Sequence, residues 1–232
     1  MLETIVITPE EPQGMASAFD PESPYETGLL MHGFGATAED LMSLAPSFPV
    51  RRRWIFPHGP QELRWGGSVV GRAWFPRRKD ELEAAMSGAY FSDLSDHDPE
   101  GLDAAADELV ALLEAQGARL GETLIGGFSQ GAIMSVELLT RLPEAARGGV
   151  LFSGAVVAQS RWKLSAASPS VRPGRFVQSH GTGDQVLSFS QGRALYDLLD
   201  EAGWRGSFLA FDGGHEIPGR IVSEAARYLY ED

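Results

Sequence analysis

Short apolar runs recur along the chain at Thr27 to Met31, Trp54 to Pro57, Thr123 to Gly126, Gly149 to Phe152, Arg175 to Ser179 and Ser207 to Phe211. Each suits a strand buried on both faces, because apolar residues fill successive positions rather than every second one. Between the runs the period changes to that of a helix. Leu102, Ala105, Ala106, Leu109 and Leu113 share one helical face, behind an Asp98-Pro99 pair that reads as N-cap and first helical residue. Leu195, Leu198, Leu199 and Ala202 form a second stripe ended by Gly203, and Ile221, Val222, Ala225 and Leu229 a third. The stretch from Ala132 to Leu139 is apolar nearly all round, as expected of a helix under the centre of a sheet. Met1 to Thr8 reads as a further strand.

Strands alternating with helical stripes predict an α/β fold, a mostly parallel central sheet flanked by helices on both faces. We find no internal repeat, low-complexity tract or linker, so residues 1–232 are expected to form one domain. Two stretches break the alternation. Residues 58–98 carry Trp65, Trp74, Phe75, Tyr90 and Phe91 among glycines and charges, and residues 155–173 carry Trp162 and Leu164 among serines. Both read as long irregular loops suited to contacting a ligand.

Composition narrows the classes. A chain of 232 residues can bury an adequate core without staples, and it contains no cysteine. Disulfides, a thiol nucleophile and cysteine-based zinc sites are thereby excluded. The opening residues lack a basic segment followed by a long apolar one, and no apolar run reaches membrane-spanning length, so the expected location is the cytoplasm. A formal net charge of −13 argues against a nucleic-acid partner. The basic clusters Arg51-Arg52-Arg53 and Arg77-Arg78-Lys79 read as solvated surface, and Asp93 to Asp98 lacks the spacing and glycine of a calcium loop. No metal or cofactor is expected. Pairing with a second copy of the chain is left open.

The informative chemistry sits at Gly127-Phe128-Ser129-Gln130-Gly131, between an apolar run and a helix-like stretch. A serine lifted onto a sharp strand-to-helix turn needs small residues two before and two after it, because the flanking backbone passes so close. The turn would also aim the Gln130 N–H, at a helix N-terminus, toward a developing oxyanion. A serine hydroxyl needs a base, and neutral histidine suits that near pH 7. Of five histidines, His180 and His215 lie downstream, as the chain order serine, acid, histidine requires. His180 leaves no room for an intervening acid, whereas His215 sits in a Gly-Gly loop after the last apolar run, and we assign it as base. Asp184 follows one buried run and precedes a helical stripe, and is the expected acid. Asp212 is the fallback, and Asp197 and Asp200 read as helix surface. The loop His32-Gly33-Phe34-Gly35 would supply a second oxyanion donor, the Phe34 N–H, with His32 a hydrogen-bonder within it. Gly33, Trp74, Phe75 and Leu187 are the expected substrate contacts.

Four segments, Leu30-Met31-His32-Gly33-Phe34-Gly35, Gly126 to Ala132, His180-Gly181-Thr182-Gly183-Asp184 and Gly214-His215-Glu216-Ile217-Pro218, together resemble the phospholipase/carboxylesterase family of α/β-hydrolases, relatives of acyl-protein thioesterases. The likeness runs from about residue 27 to the end, and the four motifs stand in the family's order. It implies an α/β-hydrolase fold, Ser129, Asp184 and His215 as nucleophile, acid and base, and the Phe34 and Gln130 N–H groups as oxyanion hole. The chain departs from the family where Trp74-Phe75 is followed by Pro76, and at Pro57-His58-Gly59-Pro60. These departures touch the acyl pocket rather than the triad. The activity implied is a cofactor-free serine esterase on small or medium carboxylic esters, with an acyl thioesterase or lysophospholipase as the alternative. A silent ligand-binding module would lack a triad member, and none is missing.

Overall fold

The computed structural model has, among the described residues, nine strands: β1 (Thr4–Ile7), β2 (Thr27–Met31), β3 (Arg53–Pro57), β4 (Gln61–Trp65), β5 (Ser68–Ala73), β6 (Thr123–Phe128), β7 (Gly148–Phe152), β8 (Arg175–Gly181) and β9 (Arg205–Phe211). The structure describes residues 1–8, 26–77, 95–141, 146–168, 170–171 and 173–230. Seven of the strands form one sheet in the order β1-β3-β2-β6-β7-β8-β9. Only β1 runs antiparallel, pairing Thr4 with Pro57; the remaining pairs are parallel, and the central strands β2, β6, β7 and β8 are buried on both faces while the edge strand β9 is partly open.

Alternate side chains of the strands feed two cores. Leu29, Met31, Ile55, Ile125, Leu151 and Phe176 pack on the face covered by helices α1 (Leu102–Ala115), α2 (Gln130–Arg141), α3 (Gln159–Ala166) and α4 (Phe189–Glu201). Leu30, Trp54, Phe56, Leu124, Val150 and Val177 turn to the other face, under a 3-10 segment (Ala38–Ser47) and helix α5 (Gly219–Tyr230). This is the α/β-hydrolase architecture read from the alternation of runs and stripes. Helix α2 lies under the sheet's centre, with every residue from Gln130 to Thr140 buried.

Three elements differ from the sequence reading. The stretch 58–98 contains the antiparallel hairpin β4–β5, turning on Gly66 and Gly67 at positive φ. Tyr90 and Phe91, with Arg78, Lys79 and Asp93, lie outside the described residues. Within 155–173 a short helix, α3, forms and buries Trp162. Helix α1 begins at Leu102, after Gly101 at φ +84°, and Asp98 is no cap. Its carboxylate instead accepts from Arg161 at 3.0 and 3.2 Å.

That bond belongs to a charge cluster built on one buried carboxylate, Glu137. Glu137, 1% exposed on α2, accepts from the Arg161 guanidinium at 2.6 Å and from the Trp162 indole N–H at 2.7 Å. Burial works against the Arg161 charge, but hydrogen bonds to Glu137 and Asp98 hold it protonated well beyond the ordinary arginine range. The cluster joins α2, α3 and the segment before α1, whose His97 and Ser95 carbonyls accept from Ala158 and Gln159 at 2.8 and 2.7 Å. Removing Glu137 leaves the Trp162 indole N–H without its acceptor in the interior and Arg161 with only its exposed partners Asp98 and Asp103. Glu137→Ala is expected to lower the unfolding free energy by about 3–5 kcal/mol in urea denaturation, and Glu137→Gln, which keeps the indole's acceptor, by less.

Candidate active site

The carboxyl ends of β2, β6, β8 and β9 lead into the loops that carry the sequence-predicted residues, the edge where parallel sheets leave room for ligands. Ser129 follows the last residue of β6 directly and precedes the first of α2. It sits at φ +55°, a left-handed conformation that a non-glycine residue holds only when its surroundings impose it. The surroundings are close backbone. A Cβ on Gly127 would stand 2.5 Å from the Gly131 carbonyl carbon, and one on Gly131 would stand 1.9 Å from the Met31 oxygen. The Ser129 N–H donates to the Phe152 carbonyl at 2.9 Å, and its own carbonyl accepts from Ile133 at 3.1 Å, fastening both sides of the turn.

Ser129 Oγ lies 2.8 Å from His215 Nε2, and His215 Nδ1 lies 2.7 Å from Asp184 Oδ2. With a carboxylate at Nδ1, the ring proton belongs there and Nε2 is free to accept from the serine hydroxyl. The Phe128 ring, 4.7 Å from that of His215, covers one side of the imidazole. Asp184 is a buried acceptor served by many donors: its Oδ1 takes the Val186 and Leu187 N–H groups at 2.8 and 2.9 Å. Burial alone would raise its carboxyl, but hydrogen bonds from His180, His215 and Leu187 hold it far below the usual carboxylate range. The two loops are joined by Thr182 N–H to the Phe211 carbonyl at 2.8 Å and Gly183 N–H to that of Gly213 at 2.9 Å. Asp212 is exposed, and Asp197 pairs with Arg193 on the surface of α4.

Phe34 and Gln130 line the same cleft as Ser129. The loop bearing Phe34 is pinned from several directions. The hairpin clasps it through Gly35 N–H to the Arg72 carbonyl and Arg72 N–H to the Ala36 carbonyl, both at 2.9 Å. His32 donates from Nδ1 to the Gly33 carbonyl at 2.7 Å and accepts the Gly59 N–H at Nε2 at 2.9 Å, which makes it a neutral, fully used spacer. The Trp74 indole donates to the His32 carbonyl at 2.9 Å. The Gln130 side chain accepts the Trp74 N–H at 2.9 Å and donates to the Phe75 carbonyl at 2.7 Å. One residue thus carries a candidate oxyanion donor on its backbone and fixes the neighbouring wall with its side chain.

The cleft opens to solvent, and its apolar lining includes Phe34, Phe75, Ile133, Val157 and Leu187. Trp74 is fully buried behind the Phe34 loop, and Gly33 packs against the Phe128 ring at its Cα side. Sequence reasoning passed over three participants: the hairpin, the Gln130 side chain and His180. The hairpin had a signal in its Gly66-Gly67 pair. No group of histidine, aspartate or glutamate side chains suited to a metal ion occurs among the described residues, nor any helix long and apolar enough to cross a membrane.

Comparison with known proteins agrees with this architecture. A family model described as phospholipase/carboxylesterase matches residues 20–231. A probable carboxylesterase of Oryza sativa subsp. japonica is 29% identical over 199 residues, 82% of this chain and 71% of the relative. Acyl-protein thioesterase 1 of Eremothecium gossypii is 30% identical over 138 residues, 57% of this chain and 58% of its own. The crystal structure of esterase PE8 shares the fold with a TM-score of 0.73 at 23% identity, covering 98% of this chain and 97% of that one.

His32 gives the site an acid-sensitive support. Burial is the main reason its ring prefers neutrality, and its pKa is lowered. A base with a depressed folded pKa stabilises the fold above its unfolded value of about 6.5, and that contribution is lost as pH falls through the lower folded value. Thermal unfolding is expected to show a decline in Tm below about pH 6.5 that His32→Gln, itself less stable at neutral pH, lacks.

Proposed function

The chain belongs to the phospholipase/carboxylesterase family, and on that footing we propose that it hydrolyses small to medium carboxylic esters through an acyl-enzyme on Ser129. The unbroken relay from Ser129 Oγ to His215 to Asp184, at 2.8 and 2.7 Å on a strained turn beside an apolar cleft, carries this reading. His215 Nε2 takes the hydroxyl proton as Oγ attacks the ester carbonyl. The tetrahedral oxyanion accepts from the backbone N–H groups of Phe34 and Gln130, each such donor contributing about 3–4 kcal/mol to the transition state. The imidazolium then passes its proton to the departing alcohol. Water repeats the cycle on the acyl-enzyme, with the carboxylate of Asp184 fixing the ring and remaining ionised throughout. The acyl portion lies along Phe75, Ile133, Val157 and Leu187, and the cytoplasm is the compartment this reading assigns.

A thioester is the second substrate class. The relatives called acyl-protein thioesterases support it, and the same relay serves a thiol leaving group without change.

Hydrolysis of p-nitrophenyl esters from acetate to decanoate separates these readings. Wild-type activity on the shorter chains, absent in Ser129→Ala, is the expected result; activity only toward acyl thioesters moves the substrate class, and activity retained in Ser129→Ala overturns the mechanism. Asp184→Asn is expected to lose about 10⁴-fold in kcat, as when a triad acid no longer fixes the tautomer, whereas Asp212→Asn stays near wild type. The opposite ranking would displace Asp184 from the role of acid.

A further inference from the structure

His180, at the end of β8, is completely buried and lies outside the relay from Ser129 to Asp184. Its Nε2 faces two oxygens, the Leu187 carbonyl at 2.9 Å and Asp184 Oδ2 at 3.3 Å. Its Nδ1 has no hydrogen-bond partner. A Cβ on Gly192 would stand 2.2 Å from that nitrogen, so helix α4 closes over it with bare backbone and leaves no space for water. A proton on Nδ1 would be a buried donor with nothing to accept it, while Nε2 without a proton would turn a lone pair on two oxygens. The geometry therefore favours the Nε2–H tautomer by exclusion.

We propose that His180 is a positioning residue for the hydrolytic reaction, a second imidazole that donates to the acid and to the wall of the acyl cleft through one shared proton. The inference rests on the triad reading given above. His215 donates to Asp184 Oδ2 at 2.7 Å from the loop after β9, and His180 Nε2 stands 3.3 Å from the same oxygen at the end of β8. The same His180 N–H holds the carbonyl of Leu187, whose side chain lines the cleft. Acyl wall and carboxylate are thus set in register by one ring. The second donor also has an electrostatic effect: it draws negative charge from Oδ2, so the carboxylate stabilises the His215 imidazolium less than it would alone. The titratable groups facing Asp184 are His180 from β8 and His215 from the loop after β9. Helix α4 meets this cluster with Gly192 and with the uncharged Phe189 ring, 6.2 Å from that of His180, and the Glu216 carboxylate is engaged 3.3 Å from the Gly214 N–H.

The test compares wild type, His180→Leu and His180→Gln in kcat and KM for a short p-nitrophenyl ester across pH. Loss of the donor in His180→Leu should lower kcat roughly tenfold while changing KM less than about twofold. It should also move the acid limb of the kcat/KM profile upward by roughly half a pH unit, because the relieved carboxylate holds the imidazolium more strongly. Glutamine, with an amide donor at similar reach, should restore much of both. An acid limb that superimposes on wild type, or a glutamine variant no better than leucine, overturns the proposal. A purely structural histidine would lower activity without moving the limb. Should the leucine variant fail to fold, nitrogen NMR of histidine-labelled wild type decides: an Nε2–H tautomer of His180 persisting from pH 5 to 8 supports the proposal, and an Nδ1–H tautomer or an imidazolium refutes it. Ser129→Ala run beside these variants separates the two failures, since residual activity there removes the triad reading, whereas an unmoved limb removes only this one.

Discussion

Everything at this site depends on one crowded stretch of backbone. The Gly131 Cα is packed against the Met31 carbonyl so tightly that a methyl group would stand 1.9 Å from its oxygen, and Ser129 is held at φ +55° two residues earlier. Met31 ends β2 and leads into the Phe34 loop, while β6 beside it ends in the turn that carries Ser129. The distance between nucleophile and candidate oxyanion donors is therefore set by the contact of neighbouring main chains, where no rotamer can relax it. Strain of this kind costs of order 1–3 kcal/mol and persists only in a rigid frame. The frame here is the centre of the sheet, clamped by a fully buried α2.

A second constraint is electrostatic. The chain carries a formal charge of −13, yet the carboxylate that matters most is out of water and away from that field. Asp184 keeps its charge because backbone N–H groups and imidazoles surround it, a local supply of donors that replaces solvent. The Glu137 cluster repeats the pattern farther along α2 with a guanidinium and an indole. In both places burial is tolerated because the partners come from elements that the fold brings together and fixes.

These two constraints explain what the sequence disclosed. Strands such as β2 and β7 are buried on both faces, so their apolar runs are uninterrupted and stand out. The loops of the site are written in glycine and in residues of distinct chemistry, which fixed Ser129, Asp184 and His215 as candidates before any coordinates. The hairpin gave a weaker signal because most of β4 and the first half of β5 face solvent, with Trp65, Val69 and Val70 exposed. Glu137 is the lone charge in a largely apolar stretch, and nothing local names its partner, which lies 24 residues later and meets it only in the fold. Sequence order excludes His180 as a base, and order says nothing of what a neighbouring imidazole can do to an acid. Helix α1 starts later than its sequence signal because Asp98, a good cap by type, is taken by Arg161.

The hairpin meets the Phe34 loop through main-chain atoms, with the Gly35 and Arg72 N–H groups donating to the carbonyls of Arg72 and Ala36. Close approach there is secured by Gly71, whose added Cβ would stand 2.1 Å from the Gly35 oxygen. Support for the site is thus indifferent to most side chains of the element that gives it. Residues at the hairpin's outer positions can be exchanged without disturbing the clasp, so this arm is a place where the surface of the enzyme can diversify over evolutionary time while its chemistry stays constant.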